Sequence, residues 1–344
     1  MVAGRGGGPG AHAARAGLGV LAAGYGVGVA ARNLAFDRGW RRVHRVGVPV
    51  VSVGNLTLGG TGKTPMVEWV ARWYRTRGIR VVILSRGYGQ ASGLNDEGRV
   101  LEDNLPDVPH LQNPNRVSLA YVAVEELEAE LLVLDDAFQH RRLARDLDIV
   151  LLDALDPFGL GRLFPRGLLR EPVRALRRAG VVVLSRADLV DDVARIAARS
   201  EAEWQAGSSA LPWVESRHAP LDLLDAEGAS HPLERALTGR VTAYCGIGNP
   251  EGFRRTLEGL GIVPVGFRAF PDHHVYSRED VADLTSWANS LNAELTLTTQ
   301  KDFVKLRTLT LGRVPLLALR IGLEVMTGGE VLDEALAKLL PAGR

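Results

Sequence analysis

The stretch from Val48 to Pro65 constrains the fold of this chain more than any other part of its sequence, and it reads VPVVSVGNLTLGGTGKTP. The β-branched run at residues 48–53 predicts a buried strand, and the glycines that follow predict a flexible turn into a helix. In such a turn, backbone N–H groups converge on phosphate oxygens while the helix N-terminus adds partial positive charge. The stretch therefore predicts a P-loop and a chain that binds a nucleoside triphosphate.

The residue types within this loop suggest separate roles. Lys63 is expected to reach the β- and γ-phosphates, and the Thr64 hydroxyl is expected to hold Mg²⁺. Pro65 suits the first helical turn, where its missing N–H leaves no bond unmade. The strict pattern has glycine where this chain has Thr57, so an ordinary glycine-rich turn is the alternative. The predicted nucleotide-binding residues are Gly59, Gly60, Thr61, Gly62, Lys63, Thr64 and Pro65.

The composition limits the classes of protein that this chain can belong to. A length of 344 residues predicts about two domains. The formal net charge is +1, so nothing in the overall charge indicates nucleic acid or an acidic partner, and no obligate protein partner is predicted. The single cysteine, Cys245, excludes an internal disulfide and fits a reducing compartment.

The N-terminal region combines an apolar segment with arginines. Residues 1–15 are rich in Gly, Ala and Arg, which predicts disorder, and residues 16–31 contain no charged side chain. A secretory signal, a buried core helix and an interfacial helix are all compatible with this pattern. We favour the interfacial helix, because its apolar face can enter a bilayer while arginines meet anionic headgroups. The basic residues that follow the segment are Arg32, Arg38, Arg41, Arg42 and Arg45.

Apolar strands alternate with helices after the P-loop. The helix that follows the loop presents Val67, Val70 and Tyr74 on one face and is expected to end near Gly78. Further strands are predicted at residues 79–84, 131–134, 149–152 and 181–184, with a helix at residues 119–130. This alternation predicts a parallel sheet covered on both faces, with its ligands at the carboxyl ends of the strands. Lys63, Arg86, Asp135 and Asp136 are expected to cluster there.

The periodicity weakens at residues 205–238, which predicts a linker, and a second α/β unit then begins. Its predicted strands are residues 241–245, 263–267 and 294–298, with a helix at residues 277–291. An apolar stretch at residues 315–325 is expected to return through the linker as a second strand.

Several polar constellations are candidates for chemistry. Asp135-Asp136 after an apolar run indicates a metal-binding strand end, with a turn or cap role as the alternative. Gln139 and His140 follow as substrate-facing groups or ordinary surface residues. Asp96-Glu97 alone also fits a solvated acidic turn. Asp272-His273-His274 lacks a matching set of Cys and His ligands, which favours a structural pair or a general acid–base group over a metal site.

Taken together, these residues resemble the tetraacyldisaccharide 4'-kinase (lipid A 4'-kinase) family over about residues 15–325, and a threonine at position 57 is typical of that family. The segments that carry the resemblance are VGNLTLGGTGKTP (53–65), LSRGYG (84–89), NDE (95–97), LDDAFQHRRLARDLDIVLLDA (134–154), GRLFPRGLLREP (161–172), GIGNPEGF (246–253), FPDHH (270–274) and TTQKDFVKL (298–306).

The resemblance implies an activity, a fold and a location. The implied reaction is transfer of the ATP γ-phosphate to the 4'-hydroxyl of a tetraacylated glucosamine disaccharide 1-phosphate, in lipid A (lipopolysaccharide) biosynthesis. The implied fold is α/β: a P-loop kinase-like α/β/α domain and a smaller α/β/α domain joined by a two-stranded linker, with an N-terminal membrane-associated helix. ATP and Mg²⁺ are the implied cofactors. The lipid and a membrane surface are the implied partners, at the cytoplasmic face of the inner membrane, as a peripheral or monotopic protein.

The resemblance also implies residue roles. Asp96 corresponds to the family's catalytic base, His273 to the histidine that supports it, and Lys63 to the P-loop lysine. The implied metal ligands are Thr64, Glu97, Asp135 and Asp136. The implied substrate-binding residues are Arg86, Tyr88, Arg116, Gln139, His140 and Arg170.

The expected domain boundaries follow from these patterns. They are residues 1–45 for the tail and membrane-associated helix, 46–205 for the P-loop domain, 206–239 for the linker, 240–314 for the second domain and 315–344 for the return strand and C-terminal tail. Asp96 and His273 then lie on opposite sides of the linker, so we expect them in different domains.

Two other functions compete with the kinase. The first is a regulatory P-loop NTPase, since Ser185-Arg-Ala-Asp188 faintly resembles a guanine-specifying motif. The second is a membrane-docked nucleotide-binding scaffold without transfer activity. Preference for ATP over GTP argues against the first, and phosphate on a lipid acceptor argues against the second.

Overall fold

The computed structural model of the chain describes residues 8–87, 96–306, 308 and 310–340. It divides into two compact units. Of the described residues, unit 1 contains those up to Gly87, Asp107–His218 and those from Leu323 onward. Unit 2 contains the described residues of the segment that ends at Pro106, together with Ala219–Gly322.

The helices and strands alternate along most of the chain. The α-helices are α1 Pro9–Asp37, α2 Lys63–Arg75, α3 Asp96–Asn104, α4 Arg116–Glu125, α5 Asp192–Ala206, α6 Pro250–Gly259, α7 Arg278–Ser290, α8 Gln300–Leu306 and α9 Gly329–Ala337. The strands are β1 Val50–Asn55, β2 Val81–Ser85, β3 His110–Gln112, β4 Leu131–Asp135, β5 Leu147–Asp153, β6 Val181–Ser185, β7 Trp213–Leu224, β8 Ser230–His231, β9 Val241–Cys245, β10 Gly266–Ala269, β11 Leu295–Thr299, β12 Thr310–Leu311 and β13 Val314–Thr327.

The sheet of unit 1 is parallel and has the P-loop strand near its centre. Its order is β7-β6-β5-β1-β4-β2-β3, and Val53 of β1 lies opposite Asp135 of β4. Every residue of β1, β2, β4 and β6 is buried, as expected of apolar strands in a sheet covered on both faces. This confirms the predicted parallel sheet and brings the carboxyl ends of β1 and β4 together.

Helix α2 packs along this sheet through the predicted face. Val67, Val70 and Tyr74 are fully buried. The Tyr74 hydroxyl donates to the carbonyl of Leu336 in α9 at 2.9 Å. The expectation of a C-terminal tail after the return strand was therefore wrong for residues 329–337, since the buried Leu332 and Leu336 give that segment an apolar face for a helix.

Helix α1 begins at Pro9, so the prediction of disorder up to residue 15 was wrong for the residues from Pro9 onward. A proline suits a first helical turn, and the Ala-rich segment that follows favours helix. By length and composition, the helix is apolar enough to cross a membrane. It buries Ala22, Val29 and Phe36 on one side.

The predicted linker is mostly regular structure. Helix α5 reaches Ala206 and ends at Gly207, which adopts the left-handed conformation that glycine favours. Strand β7 follows, and its beginning pairs in parallel with β6, Trp213 lying opposite Val182. The weak sequence periodicity therefore does not mark an irregular segment, because β7 alternates between buried and partly exposed residues at several positions.

Unit 2 has a smaller parallel sheet of order β10-β9-β11-β13. Leu297 lies between Ala243 of β9 and Leu317 of β13, which confirms the predicted return strand. Helix α7 begins with a capping box in which Ser277 and Asp280 bond each other's backbone N–H groups. Tyr244, Phe270 and Tyr276 pack edge to face beneath the carboxyl end of β9.

Helix α3 belongs to unit 2, although it follows a strand of unit 1 in the sequence. The buried side chains of Asn104 in α3 and Gln300 in α8 exchange hydrogen bonds of 2.7 and 3.3 Å. The expectation that Asp96 and His273 lie in different domains was therefore wrong. A contact between residues 196 positions apart in the sequence decided this placement.

Candidate phosphate-binding active site

The P-loop adopts a conformation that needs glycine at two positions. Gly59 has φ +116° and Gly62 has φ +82°, values that side chains rarely tolerate. Helix α2 begins immediately after Gly62, at Lys63, so its first backbone N–H groups lack partners within the helix. This arrangement supplies a helix N-terminus for an anion, as the sequence predicted.

Buried polar contacts hold the loop from behind. Asn55 Nδ2 donates to Thr61 Oγ1 at 3.0 Å, and Ser185 Oγ donates to the Thr61 carbonyl at 2.8 Å. A Cβ on Gly62 would lie 2.5 Å from Nε2 of His218. Residues of three strands, β1, β6 and β7, thus surround the loop, and sequence patterns gave no sign of the part played by Ser185 or His218.

A cluster of cations surrounds Asp136, directly beyond strand β4. Lys63 Nζ lies 3.8 Å from its carboxylate, and Arg170 Nη1 donates to both carboxylate oxygens at 2.8 Å. Arg116 Nη1 donates to the backbone carbonyl of Asp136 at 3.1 Å. The structure therefore brings together Lys63 and Asp136, which the strand pattern predicted to cluster, with Arg116 and Arg170, which the family resemblance implied.

The charge of Asp136 follows from these neighbours. Burial by itself would raise the pKa of this carboxyl, but Lys63, Arg170 and Arg116 lower it below its ordinary value. Asp136 is consequently ionised at neutral pH and balances part of the positive charge around the loop.

Pairing between two loops explains how Arg170 reaches this site. The N–H of Arg170 donates to the carbonyl of Leu56, and the N–H of Leu58 donates to that of Leu168, both at 2.7 Å. Thr57 lies between these bonds, is buried and pairs with Leu169. The residue that replaces the expected glycine thus occupies a short antiparallel bridge.

The candidate Mg²⁺ ligands of unit 1 lie near the same edge. Asp135 ends β4 and is buried, and Thr64 lies in the first turn of α2. Carboxylate and hydroxyl oxygens suit Mg²⁺, which binds few protein ligands and takes the rest from phosphates and water. Within the described ranges, no three Asp, Glu, His or Cys side chains form a metal-binding group.

Gln139 and His140 lie close to the P-loop strand. Gln139 Nε2 donates to the carbonyl of Asn55 at 2.9 Å. Burial lowers the pKa of His140 to about 4, and the charge of Arg116 acts in the same direction. His140 is therefore neutral at physiological pH.

The structure describes only part of the remaining predicted site residues, Arg86, Tyr88, Asp96 and Glu97. Arg86 follows β2 and is exposed. Tyr88 lies outside the described residues. Asp96 and Glu97 form the first turn of α3, and their side chains also lie outside the described part of the chain.

In unit 2, His273 lies on a turn beyond β10. Its backbone N–H donates to the carbonyl of Gly246 at 3.2 Å, its φ is +59°, and its side chain is 67% exposed. The neighbouring His274 differs, because its Nε2 lies 3.1 Å from Asp280 and its ring stacks on Phe270. His273 is therefore accessible to a ligand, whereas His274 is structural.

Asp302 is a residue of this region that sequence reasoning missed. Its fully buried carboxylate accepts hydrogen bonds from the Gly246 N–H at 2.9 Å, Tyr276 at 3.0 Å and Thr299 at 2.6 Å. Gly246 in turn accepts the bond from His273. The segment TTQKD at residues 298–302 was the available signal, but only the fold shows which groups the carboxylate holds.

Comparisons with known proteins show which family this chain resembles. The family described as Tetraacyldisaccharide-1-P 4'-kinase matches residues 14–341. The tetraacyldisaccharide 4'-kinase of Anaeromyxobacter sp. (strain Fw109-5) is 44% identical over 334 residues, covering 92% of this chain and 89% of the relative. That of Syntrophus aciditrophicus (strain SB) is 40% identical over 325 residues, covering 88% and 87%. The crystal structure of the "apo" form of LpxK from Aquifex aeolicus in complex with ATP superposes with a TM-score of 0.77 at 29% identity, covering 94% and 99%.

Proposed function

The chain belongs to the tetraacyldisaccharide-1-P 4'-kinase family, and from this premise we propose how its residues carry out the reaction. It is an ATP-dependent kinase that phosphorylates the 4'-hydroxyl of a tetraacyldisaccharide 1-phosphate, a lipid A precursor. The single observation that carries the proposal is the Lys63–Asp136–Arg170 cluster beside the P-loop. The family match leaves the two competing functions, a regulatory NTPase and a transfer-inactive scaffold, without support.

Phosphoryl transfer needs positive charge where the transferring group becomes more negative. Lys63 supplies one such charge, and Asp136 orients it together with Arg170. Thr64, Asp135, Asp136 and Glu97 are the proposed Mg²⁺ ligands. Because Arg170 and Lys63 already engage Asp136, we assign the metal contacts of unit 1 first to Thr64 and Asp135. When bound, Mg²⁺ would neutralise phosphate charge.

The acceptor hydroxyl hardly ionises at neutral pH, so a base must take its proton. Asp96 is the proposed base: the proton moves to its carboxylate as the new O–P bond forms and ADP leaves. His273 is the proposed support of that carboxylate. The exposure of the His273 side chain and the placement of α3 in the same unit support this assignment.

The substrate carries phosphate and sugar groups that arginine and amide side chains recognise well. The proposed substrate-binding residues are Arg86, Tyr88, Arg116, Gln139, His140 and Arg170. Arg86 is exposed and therefore accessible to the acceptor. Arg116 and Arg170 already bond Asp136, so they would add their remaining N–H donors.

We also propose that α1 lies on the cytoplasmic face of the inner membrane. Val20 and Val27 are 74% and 70% exposed, and they lie seven residues apart on the side opposite the buried Ala22 and Val29. A continuous apolar stripe of this kind fits a bilayer interface. The division into a P-loop domain, a two-stranded linker and a smaller domain remains part of the proposal, with helix α3 in the smaller domain and helix α9 following the return strand. Strands β7 and β13 each run from one unit into the other, which supports it.

The proposal is tested by transfer of labelled γ-phosphate from ATP to a tetraacyl disaccharide 1-phosphate in detergent micelles. We expect transfer by the wild-type chain and about a 10²-fold or greater loss in Asp96→Ala and in His273→Ala. Asp192→Ala, an exposed carboxylate on α5, is the matched control. Transfer at the wild-type rate by Asp96→Ala would remove Asp96 as the base, and no transfer by the wild-type chain would refute the proposed acceptor.

A further inference from the structure

A fully buried carboxylate lies next to the arginine of the phosphate site. Glu171 pairs with Arg178 at 2.7 Å and with Arg32 of α1 at 2.5 Å, and it accepts a bond from Asn33 at 3.3 Å. Two of these three partners belong to α1. A buried carboxylate needs such partners, because removing one leaves an uncompensated charge away from water.

Helix α1 makes a second contact with the same segment. The hydroxyl of Tyr25 donates to the backbone carbonyl of Arg170 at 2.9 Å, and the Tyr25 ring meets Phe164 edge to face at 6.0 Å. At Gly26, a Cβ would lie 2.9 Å from the Leu163 side chain, so the helix backbone approaches the segment closely. The inner face of α1 is therefore fitted to residues 163–171 at several points.

This segment leads directly to the phosphate site. The backbone N–H of Arg170 donates a hydrogen bond to the carbonyl of Leu56, directly after the P-loop strand, and its guanidinium donates to the carboxylate of Asp136. A parallel path runs through Arg178, which pairs with Glu171 and lies 4.5 Å over the ring of Phe138. Phe138 in turn leaves no room for a side chain at Gly54 of β1. Both paths connect α1 with the strand that carries the P-loop.

We propose that the inner face of α1, through Tyr25 and Arg32, is a positioning element that holds Arg170 on Asp136. The role is separate from membrane attachment, which would use the opposite face of the helix. It rests on the proposed function, in which Arg170 and Lys63 act on the transferring phosphate. A small displacement of such a group lowers the rate of a phosphoryl transfer strongly, because its charge must be in place at the transition state.

The test uses the full chain in detergent micelles, where attachment to a bilayer plays no part. The variants are Arg32→Gln, Arg32→Lys and Tyr25→Phe, each assayed for kcat, for KM of ATP and for thermal unfolding. Arg199→Gln removes a comparable arginine from an exposed pair with Glu203 on α5 and is the matched control. We expect kcat to fall about tenfold or more in Arg32→Gln, with partial recovery in Arg32→Lys and no change in Arg199→Gln.

If Arg32→Gln fails to fold, Tyr25→Phe still tests the proposal. It removes one hydrogen bond and keeps the ring, and we expect kcat to fall about threefold while the unfolding temperature stays within about 2 °C of wild type. A wild-type kcat in Tyr25→Phe, or in a folded Arg32→Gln, would overturn the inference. If the proposed function itself is wrong, the result is different, because the wild-type chain would then transfer no phosphate. ATP affinity, which needs no acceptor, would then test the inference, with at least threefold weaker binding expected in Arg32→Gln and unchanged binding overturning it.

Discussion

The Nη1 atom of Arg170 lies 2.8 Å from both carboxylate oxygens of Asp136. The same carboxylate lies 3.8 Å from Lys63 Nζ, so one aspartate links the P-loop lysine to an arginine far along the chain. The backbone of Asp136 is left-handed, with φ +47°, which turns the residue away from the direction of β4. The carboxylate of Asp136 is thus bound to two cations that come from different parts of the chain.

Asp136→Asn should lower kcat about 10²-fold, because the neutral amide no longer balances and orients Lys63 and Arg170. The fold should persist, since the amide keeps the shape of the side chain. The measurement is γ-phosphate transfer under saturating ATP, with thermal unfolding in parallel. Asp156→Asn, at a surface turn before Gly159, is the control. An unchanged kcat in Asp136→Asn would show that the cluster is structural only.

Gly62→Ala should destabilise the fold more than Gly60→Ala. At Gly62, φ is +82° and a Cβ would lie 2.5 Å from His218, whereas a Cβ on Gly60 would meet nothing within 4 Å. We expect Gly62→Ala to lower the free energy of unfolding by about 1–3 kcal/mol and Gly60→Ala by less than about 1 kcal/mol. Urea unfolding without nucleotide measures both values. Equal losses would argue against the close contact with His218.

His218 should make the fold less stable in mild acid. Burial lowers its pKa to about 4, and Arg186 acts in the same direction. The unfolded chain binds a proton at this histidine near pH 6.5, but the folded chain does so only near pH 4, so stability falls as the pH decreases through that window. The slope from one such group is at most about 1.4 kcal/mol per pH unit.

His218→Leu should therefore reduce the loss of unfolding free energy between about pH 6.5 and pH 4. His140 has a similarly lowered pKa and would keep part of the slope. The measurement is urea unfolding at several pH values, with His12→Gln, at an exposed position of α1, as the control. If His218→Leu leaves the pH dependence of the unfolding free energy unchanged, then His218 binds its proton at about the same pH in the folded and the unfolded chain.

Asp302→Ala should destabilise unit 2 strongly. The change leaves the Gly246 N–H and the Tyr276 hydroxyl without their buried acceptor, which costs about 3 kcal/mol or more. Asp283→Ala, which removes a solvent-exposed pair with Arg268, should cost less than about 1 kcal/mol. Denaturant unfolding followed by circular dichroism compares the two. Similar small losses would show that other groups satisfy the donors around Asp302.

Local patterns predicted much of unit 1. The P-loop, the buried face of α2 and the strands β4, β5 and β6 follow from glycine spacing and apolar periodicity within short windows. The resemblance to a kinase family named Arg116 and Arg170 as site residues. It did not show that both bond Asp136, or that Gln139 bonds the carbonyl of Asn55.

Other parts depended on contacts between distant segments. Helix α3 belongs to unit 2 because Asn104 and Gln300 bond each other, and no local pattern near residue 104 indicates this. The C-terminal helix α9 packs against α2, where Trp73 and Tyr74 donate hydrogen bonds to Asp333 and Leu336. The segment expected to be a linker begins a strand because β6 offers it an edge.

The sequence by itself determined that this chain holds a P-loop, followed by alternating parallel strands, and that its N-terminal segment is apolar. These properties depend on neighbours within a few residues, whose conformational preferences act before any tertiary contact forms. The tertiary structure alone decided the charges and partners of the site: the low pKa of Asp136, the neutral His140, and the buried Glu171 between Arg32 and Arg178. Burial and Coulomb interactions set these properties, and both depend on residues that only folding brings within a few ångströms of each other.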